Sequence, residues 1–249
     1  HIHRTRACHI VTIEDPIEYA FTDRRSVINQ RELGLDTITF SRALRAALRQ
    51  DPDVVLVGEM RDVETIEIAI LAAETGHLVL STLHTTDAVE TVNRITGAFP
   101  PHQQLQVRLQ LAAVLNGVVS QRLLPMADGR GMVAAVEVLV NTARVREMIE
   151  SPTRTPEIHD AIAEGRHPYG MVTFDQSLTE LVQQNLVTSE QLKLALEEQK
   201  RSGRKLGRLL VDSGYVSHAA QTVDLVRHAL AGRTLGRLIN THSHSDHIG

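Results

Sequence analysis

Short runs of β-branched apolar residues alternate with segments of helical periodicity along the first third of the chain. Residues 8–13, 53–58 and 77–83 are short runs rich in β-branched and apolar residues, the pattern of buried strands. Residues 40–48 and 66–73 place apolar side chains on one helical face, which predicts amphipathic helices between the strands. This order of strand, helix, strand, helix and strand predicts an α/β domain with a mostly parallel sheet.

Beyond residue 85 the pattern becomes more helical. Helices are predicted for residues 88–99 and, after the break at Pro100–Pro101, for residues 103–119. A β-rich segment at 121–140, with a turn at Asp128–Gly129, is expected to complete the core. Further helices are predicted near residues 143–150, 157–163 and 176–184.

The last quarter of the chain contains an internal repeat. Residues 186–211 and 216–239 match at one constant offset, so that Gly203 pairs with Gly232 and Leu206 with Leu235. A constant register over this length indicates a duplicated helical unit. Two copies are few for a solenoid, so a small helical domain that binds another protein is expected.

Composition narrows the range of functions. The chain has 249 residues, a formal net charge of -4 and 3% aromatic residues without tryptophan, which argues against broad nucleic-acid binding. No apolar run is long enough to span a bilayer, so a cytoplasmic protein is expected. Cys8 is the only cysteine, which excludes an intramolecular disulfide and a four-cysteine zinc site.

Three carboxylates cluster where the first predicted strand ends. Glu14, Asp15 and Glu18 lie in the segment TIEDPIE, in which Pro16 fixes the turn. Ligands of α/β proteins bind beyond the carboxyl ends of the strands, which makes this cluster a candidate ligand site. A solvated acidic turn is the alternative interpretation.

The second and third strands also end in polar residues. Glu59 follows the second strand, at the position where P-loop NTPases hold magnesium through water; an ordinary strand-terminating glutamate is the alternative. His77 and His84 bracket the third strand. At its carboxyl end, His84 is able to donate a hydrogen bond to a γ-phosphate oxygen, although a lone histidine is more often structural.

Together these segments resemble secretion and pilus ATPases. TIEDPIE is similar to their aspartate box, DPDVVLVGEMRD to their Walker B segment and ETGHLVLSTLHTTDA to their histidine box. The resemblance covers roughly residues 8–190, and GEMRD, AAETGHL and INQRE are most similar to the retraction branch that drives twitching motility. RVREMI at 144–149 matches the AIRNLI-like helix of that branch in its arginine and final isoleucine and departs from it elsewhere.

The resemblance implies a RecA-like P-loop NTPase core followed by a mainly helical C-terminal region. It implies ATP hydrolysis with Mg²⁺ in a homo-hexameric ring, peripheral to the inner membrane, where a pilus or secretion platform protein is the partner. Glu18 would be the general base, Glu59 would organise magnesium through water, and His84 would sense the γ-phosphate. The further residues expected at the nucleotide are Glu14, Asp15, Arg61, His77 and Thr82.

The sequence contains no G-x-x-x-x-G-K-[ST] phosphate loop. In the family this loop lies upstream of the aspartate box, so the core is expected to be incomplete at its N-terminus and the chain alone to be inactive. The expected domains are an ATPase core, a helical subdomain, the repeat module and a short tail, at 1–140, 141–185, 186–239 and 240–249. A truncated docking or regulatory module without catalysis is the alternative.

The tail carries a second, unrelated motif. NTHSHSDHIG resembles the first metal motif of metallo-β-lactamase-fold hydrolases, and imidazoles and a carboxylate at this spacing bind zinc. The zinc candidates are His242, His244, Asp246 and His247. Because the repeat register breaks at Asn240, a fusion or sequence error near that residue is expected, and a zinc-binding hydrolase fragment is the remaining alternative.

Overall fold

A computed structural model describes residues 1–188 and the backbone of residues 238–242. The strands are β1 (His9–Glu14), β2 (Val27–Glu32), β3 (Val54–Val57), β4 (Leu78–Leu83), β5 (Gly117–Pro125), β6 (Met132–Val140) and β7 (Leu238–His242). The helices are α1 (Ile2–Thr5), α2 (Phe40–Ala47), α3 (Val63–Glu74), α4 (Ala88–Gly97), α5 (Pro101–Val114), α6 (Ala143–Glu150), α7 (Ile158–Glu164), α8 (Arg166–Tyr169) and α9 (Phe174–Gln183).

The described strands form one sheet in the order β2-β1-β3-β4-β7-β5-β6. All neighbouring pairs are parallel except β5 and β6, which are antiparallel. The predicted α/β fold with a mostly parallel sheet is therefore confirmed. Because β1, β3 and β4 are parallel neighbours, their carboxyl ends lie side by side at one edge.

Side-chain caps fix where the helices begin. Thr39, Asp62, Asp87, Thr142 and Thr173 each accept a hydrogen bond from a backbone amide in the first turn of the helix that follows. Such a cap satisfies an amide that has no partner within the helix. The capped helices α2, α3, α4 and α6 then contribute their apolar faces to one continuous core with the strands.

The long helix after Pro100 is shorter than the sequence predicts. It ends at Val114, and residues 118 and 119, which were predicted to be helical, belong to β5. The side-chain amide of Asn141 donates to the carbonyls of Ala112 at 2.8 Å and Leu115 at 2.6 Å. These bonds satisfy carbonyls that the helix end leaves open, so the chain turns into the strand without continuing the helix.

The edge strand β2 was not predicted, because VINQRE lacks the apolar run of a buried strand. Its backbone amides at Ile28 and Glu32 donate to the carboxylates of Asp23, at 2.9 Å, and Asp36, at 2.8 Å. Side chains of this chain therefore occupy donors that an edge strand otherwise leaves open to a further strand.

The strand β7 lies between β4 and β5, with Leu83 opposite Thr241 and Gln121 opposite His242. The boundary predicted at residue 240, between the repeat and the tail, falls inside this strand. The rest of the repeat, from residue 189 to 237, and the zinc candidates His244, Asp246 and His247 lie outside the described residues. The zinc site therefore stays a prediction.

One buried hydroxyl in the core lacks a partner. Ser81 on β4 is 4% exposed, lines an apolar cavity with Ile70 and Leu111, and its Oγ makes no hydrogen bond to any described residue. Ser81→Ala is expected to raise the free energy of unfolding by about 1 kcal/mol, because it removes an unsatisfied polar group. Urea denaturation at equilibrium measures this change.

Ser177→Ala is the matched control. Ser177 is 6% exposed, and its Oγ accepts a hydrogen bond from the Val136 amide at 3.1 Å, so the same truncation is expected to lower stability. Equal losses of stability in both variants would contradict the assignment of Ser81.

Candidate functional site

The ends of β1, β3 and β4 are held together at the carboxyl edge of the sheet. The Gly58 amide donates to the Ile13 carbonyl at 2.7 Å, and the Thr82 hydroxyl donates to the Gly58 carbonyl at 2.6 Å. The Met60 amide donates to the Thr82 carbonyl at 3.2 Å. These bonds fix the backbone on both sides of Glu59.

Glycine is required immediately before Glu59. A Cβ atom at Gly58 would lie 3.1 Å from the carbonyl oxygen of Ile13 and 3.4 Å from the Cα of Glu14, both backbone atoms. A side chain here would push β3 away from the end of β1. The close approach of the two strands therefore depends on the Gly-Glu pair of the predicted Walker B segment.

The Glu59 carboxylate is the centre of a charged cluster and is only 9% exposed. Arg61 pairs with its Oε1, and the Nε2 of His84 lies 3.3 Å from its Oε2. The hydrogen bond to Glu59 raises the pKa of Arg61, and the negative charge of Asp15 acts in the same direction. The structure thus brings together Glu59, Arg61 and His84, with Asp15 close enough to act on Arg61.

The Oε2 atom of Glu59 is buried and has no hydrogen-bond donor among the described residues, since the contact with His84 lacks hydrogen-bond geometry. Buried carboxylate oxygens are normally satisfied, so this oxygen is an acceptor available to a further donor, such as a water bound to a cation. Within the described residues, no group of three His, Cys, Asp or Glu side chains forms a direct metal site. The arrangement therefore fits Mg²⁺, which usually keeps several waters, held through water by Glu59.

The acidic segment after β1 has two parts. Glu14 is engaged within the sheet, because its Oε1 accepts hydrogen bonds from Thr12 at 2.6 Å and from the side-chain amide of Gln30 at 3.0 Å. Glu18 is exposed, and no hydrogen bond or ion pair joins it to another described residue. The amide just before it, at Ile17, donates to Glu32 at 3.0 Å and fixes the path of the loop.

Two residues that were predicted to lie at the nucleotide, His77 and Thr82, have hydrogen-bond partners within the protein. His77 precedes β4 at the amino end of the strand, opposite to His84, and its Nδ1 lies 3.0 Å from the Ala72 carbonyl and 3.1 Å from the Thr75 hydroxyl. Its geometry therefore gives no support to a role at the nucleotide. Thr82 lies at the edge but donates its hydroxyl to the backbone between β3 and β4.

Two charged residues that the sequence analysis did not select support the turn after His84. Glu137 on β6 is 3% exposed and accepts a hydrogen bond from the Ala88 amide at 2.9 Å. Arg122 on β5 donates to the Thr86 carbonyl at 3.1 Å. Burial raises the pKa of Glu137 and lowers the pKa of Arg122. A single charge within the apolar run MVAAVEVLV was the signal that could have identified Glu137.

This sheet, with a buried glutamate, an arginine and a histidine at its carboxyl edge, is similar to solved structures of pilus and secretion ATPases. The crystal structure of the pilus retraction motor PilT with bound ADP matches it with a TM-score of 0.68 and 48% identity, over 76% of this chain and 53% of that chain. The chain also matches the family model of the Type II/IV secretion system protein over residues 1–228. The protein belongs to this family.

Curated relatives agree with this assignment. A twitching motility protein of Neisseria gonorrhoeae is 49% identical over 190 residues, which are 76% of this chain and 50% of that protein. The type IV pilus retraction ATPase PilT of Pseudomonas aeruginosa is 45% identical over 76% of this chain and 54% of its own length. The chain spans about half the length of these relatives. None of the helices in its described part is both long and apolar enough to cross a membrane.

Proposed function

We propose that the protein is a subunit of a motor that hydrolyses ATP with Mg²⁺ and powers the retraction of type IV pili. The observation that carries the proposal is the buried Glu59 carboxylate, with its unsatisfied oxygen, at the carboxyl edge of the sheet. Relatives that are 49% and 45% identical over 190 residues are named for twitching motility and pilus retraction.

Each residue at the edge has a distinct task in this proposal. Glu59 orients a water of the bound cation, which supplies positive charge to the phosphates. His84, next to Glu59, donates a hydrogen bond to the γ-phosphate and reports its presence. Glu18, on the exposed loop after β1, orients and deprotonates the attacking water. Positioning and charge neutralisation supply most of the acceleration in such a reaction.

The assembly belongs to the same proposal. The protein works as a homo-hexameric ring in the cytoplasm, peripheral to the inner membrane, against a platform protein of the pilus or secretion machinery. The present sequence contains no phosphate loop to cradle ATP, so these residues alone are expected to be inactive. Helix α6, which matches the retraction-type helix only in its arginine and final isoleucine, packs Val145, Met148 and Ile149 into the core.

The test uses the protein as its host expresses it. Purified protein is expected to hydrolyse ATP, and EDTA is expected to abolish turnover, with recovery when Mg²⁺ is restored. Light scattering reports whether the mass corresponds to six subunits. In a host strain that lacks the gene, twitching should return with the wild-type copy. A protein that neither binds nor hydrolyses ATP would support the docking-module alternative.

A further inference from the structure

Arg122 places a positive charge next to the turn that follows His84. Its guanidinium donates to the carbonyl of Thr86 at 3.1 Å, two residues beyond His84. On its other side, the guanidinium carbon lies 3.9 Å from the ring centroid of Phe174, the first residue of α9. The Arg122 side chain therefore contacts both the turn that follows His84 and helix α9.

Other hydrogen bonds also hold the turn formed by residues 84–88. The hydroxyls of Thr85 and Thr91 lie 2.7 Å apart, and the amide of Thr86 donates to Glu90 at 3.0 Å. These bonds tie the turn to α4. Only two residues of backbone separate the Thr86 carbonyl, to which Arg122 donates, from His84.

Nearby carboxylates offset part of the cost of burying the Arg122 charge. Burial lowers the pKa of Arg122, and the negative charges of four residues act in the opposite direction: Glu137, Asp87, Asp175 and Glu90. The aromatic face of Phe174 adds a cation–π contact. The planar guanidinium of Arg122 is suited to this position, because it stacks on the Phe174 ring and donates a hydrogen bond to the Thr86 carbonyl at the same time.

We propose that Arg122 is a positioning residue for His84: it holds the Thr86 carbonyl, sets the imidazole against Glu59, and ties this setting to α9 through Phe174. Arg122 acts through the backbone and touches no reacting group. The proposal rests on the ATPase activity proposed above.

The first experiment compares Arg122→Met with Arg108→Met in the protein as its host expresses it. Arg108 is a buried arginine of α5 that donates to the Ile149 carbonyl and the Thr155 hydroxyl, each at 3.1 Å, and to the side chain of Asn93 at 3.4 Å; none of these partners belongs to the turn. Arg122→Met is expected to lower kcat by about 10- to 100-fold with little change in KM, because the catalytic geometry shifts. Arg108→Met loses stability but keeps kcat per folded molecule.

A double-mutant cycle separates positioning from general support of the fold. If Arg122 acts through His84, then Arg122→Met is expected to cost almost nothing further in kcat when His84 is already replaced by Gln. Phe174→Leu, which keeps an apolar residue and removes the ring, is expected to lower kcat about two- to fivefold. Losses from Arg122→Met and His84→Gln that multiply in the double variant overturn the proposal.

A readout without turnover keeps this inference separate from the proposed function. In the NMR spectrum, the imidazole resonances of His84 are expected to move in Arg122→Met and Phe174→Leu and to stay in place in Arg108→Met. This comparison stands even if the wild-type protein hydrolyses no ATP. Unchanged His84 resonances in folded Arg122→Met and Phe174→Leu variants overturn the positioning role.

Discussion

Glu18→Gln is expected to lower the kcat for ATP hydrolysis by about 10²–10⁴-fold while nucleotide binding is retained. Glutamine has nearly the shape of glutamate but does not accept the proton of the attacking water. Glu18 is exposed on the loop that follows β1, and the hydrogen bond from Ile17 to Glu32 fixes the start of that loop. The substitution should therefore remove the base without disturbing the sheet.

Steady-state turnover and the binding of a fluorescent ATP analogue measure the two parts of this prediction. Glu67→Gln is the control, since it makes the same chemical change on the exposed side of α3 and is expected to leave kcat within about twofold. Turnover at the wild-type level in Glu18→Gln would show that another group is the base.

The second large effect is expected for Glu59→Gln, with a fall in kcat of about 10²–10³-fold and a higher Mg²⁺ concentration for half-maximal activity. The variant loses the charge that pairs with Arg61 and that orients a water of the cation. It also leaves Arg61 without its carboxylate partner at the edge. Turnover measured across a Mg²⁺ titration separates the loss of rate from the loss of metal affinity.

Glu64→Gln is the matched control for this substitution. Glu64 also pairs with an arginine, Arg45 at 2.8 Å, but this pair is exposed and lies on the surface between α2 and α3. Breaking this exposed, solvent-screened pair is expected to change stability little and to leave the Mg²⁺ dependence unaltered. A Glu59→Gln variant with the same Mg²⁺ dependence as wild type would exclude Glu59 as the group that organises the cation.

The sequence allowed the centre of the sheet and its ligand edge to be predicted. The strands β1, β3 and β4 are mostly buried, β4 more completely on one face than on the other, so they appear as short, largely apolar runs in the sequence. Their parallel arrangement then places the residues that follow each strand at a common edge, which is where Glu59 and His84 meet. The local sequence pattern was sufficient to predict these three strands, because their burial alone determines which residue types they contain.

The remaining features depend on contacts between distant segments. The edge strand β2 is polar and is held by β1 on one side and by nearby carboxylates on the other. The early end of α5 depends on Asn141, which lies in a later segment. Arg122 and Glu137 were missed because their partners, Thr86 and Ala88, are more than thirty residues away in the chain. No periodicity in a single segment reports such pairings.

The carboxylates of Asp23 and Asp36 on the outer side of β2 also have a consequence for how copies of this protein meet. A sheet that recruits a neighbour's strand at its edge gains a ladder of backbone hydrogen bonds and can polymerise without limit. Here two amides of that edge, at Ile28 and Glu32, are already bonded within the chain. A backbone ladder to a second copy is therefore disfavoured on this side, and copies that meet here are expected to associate through side chains.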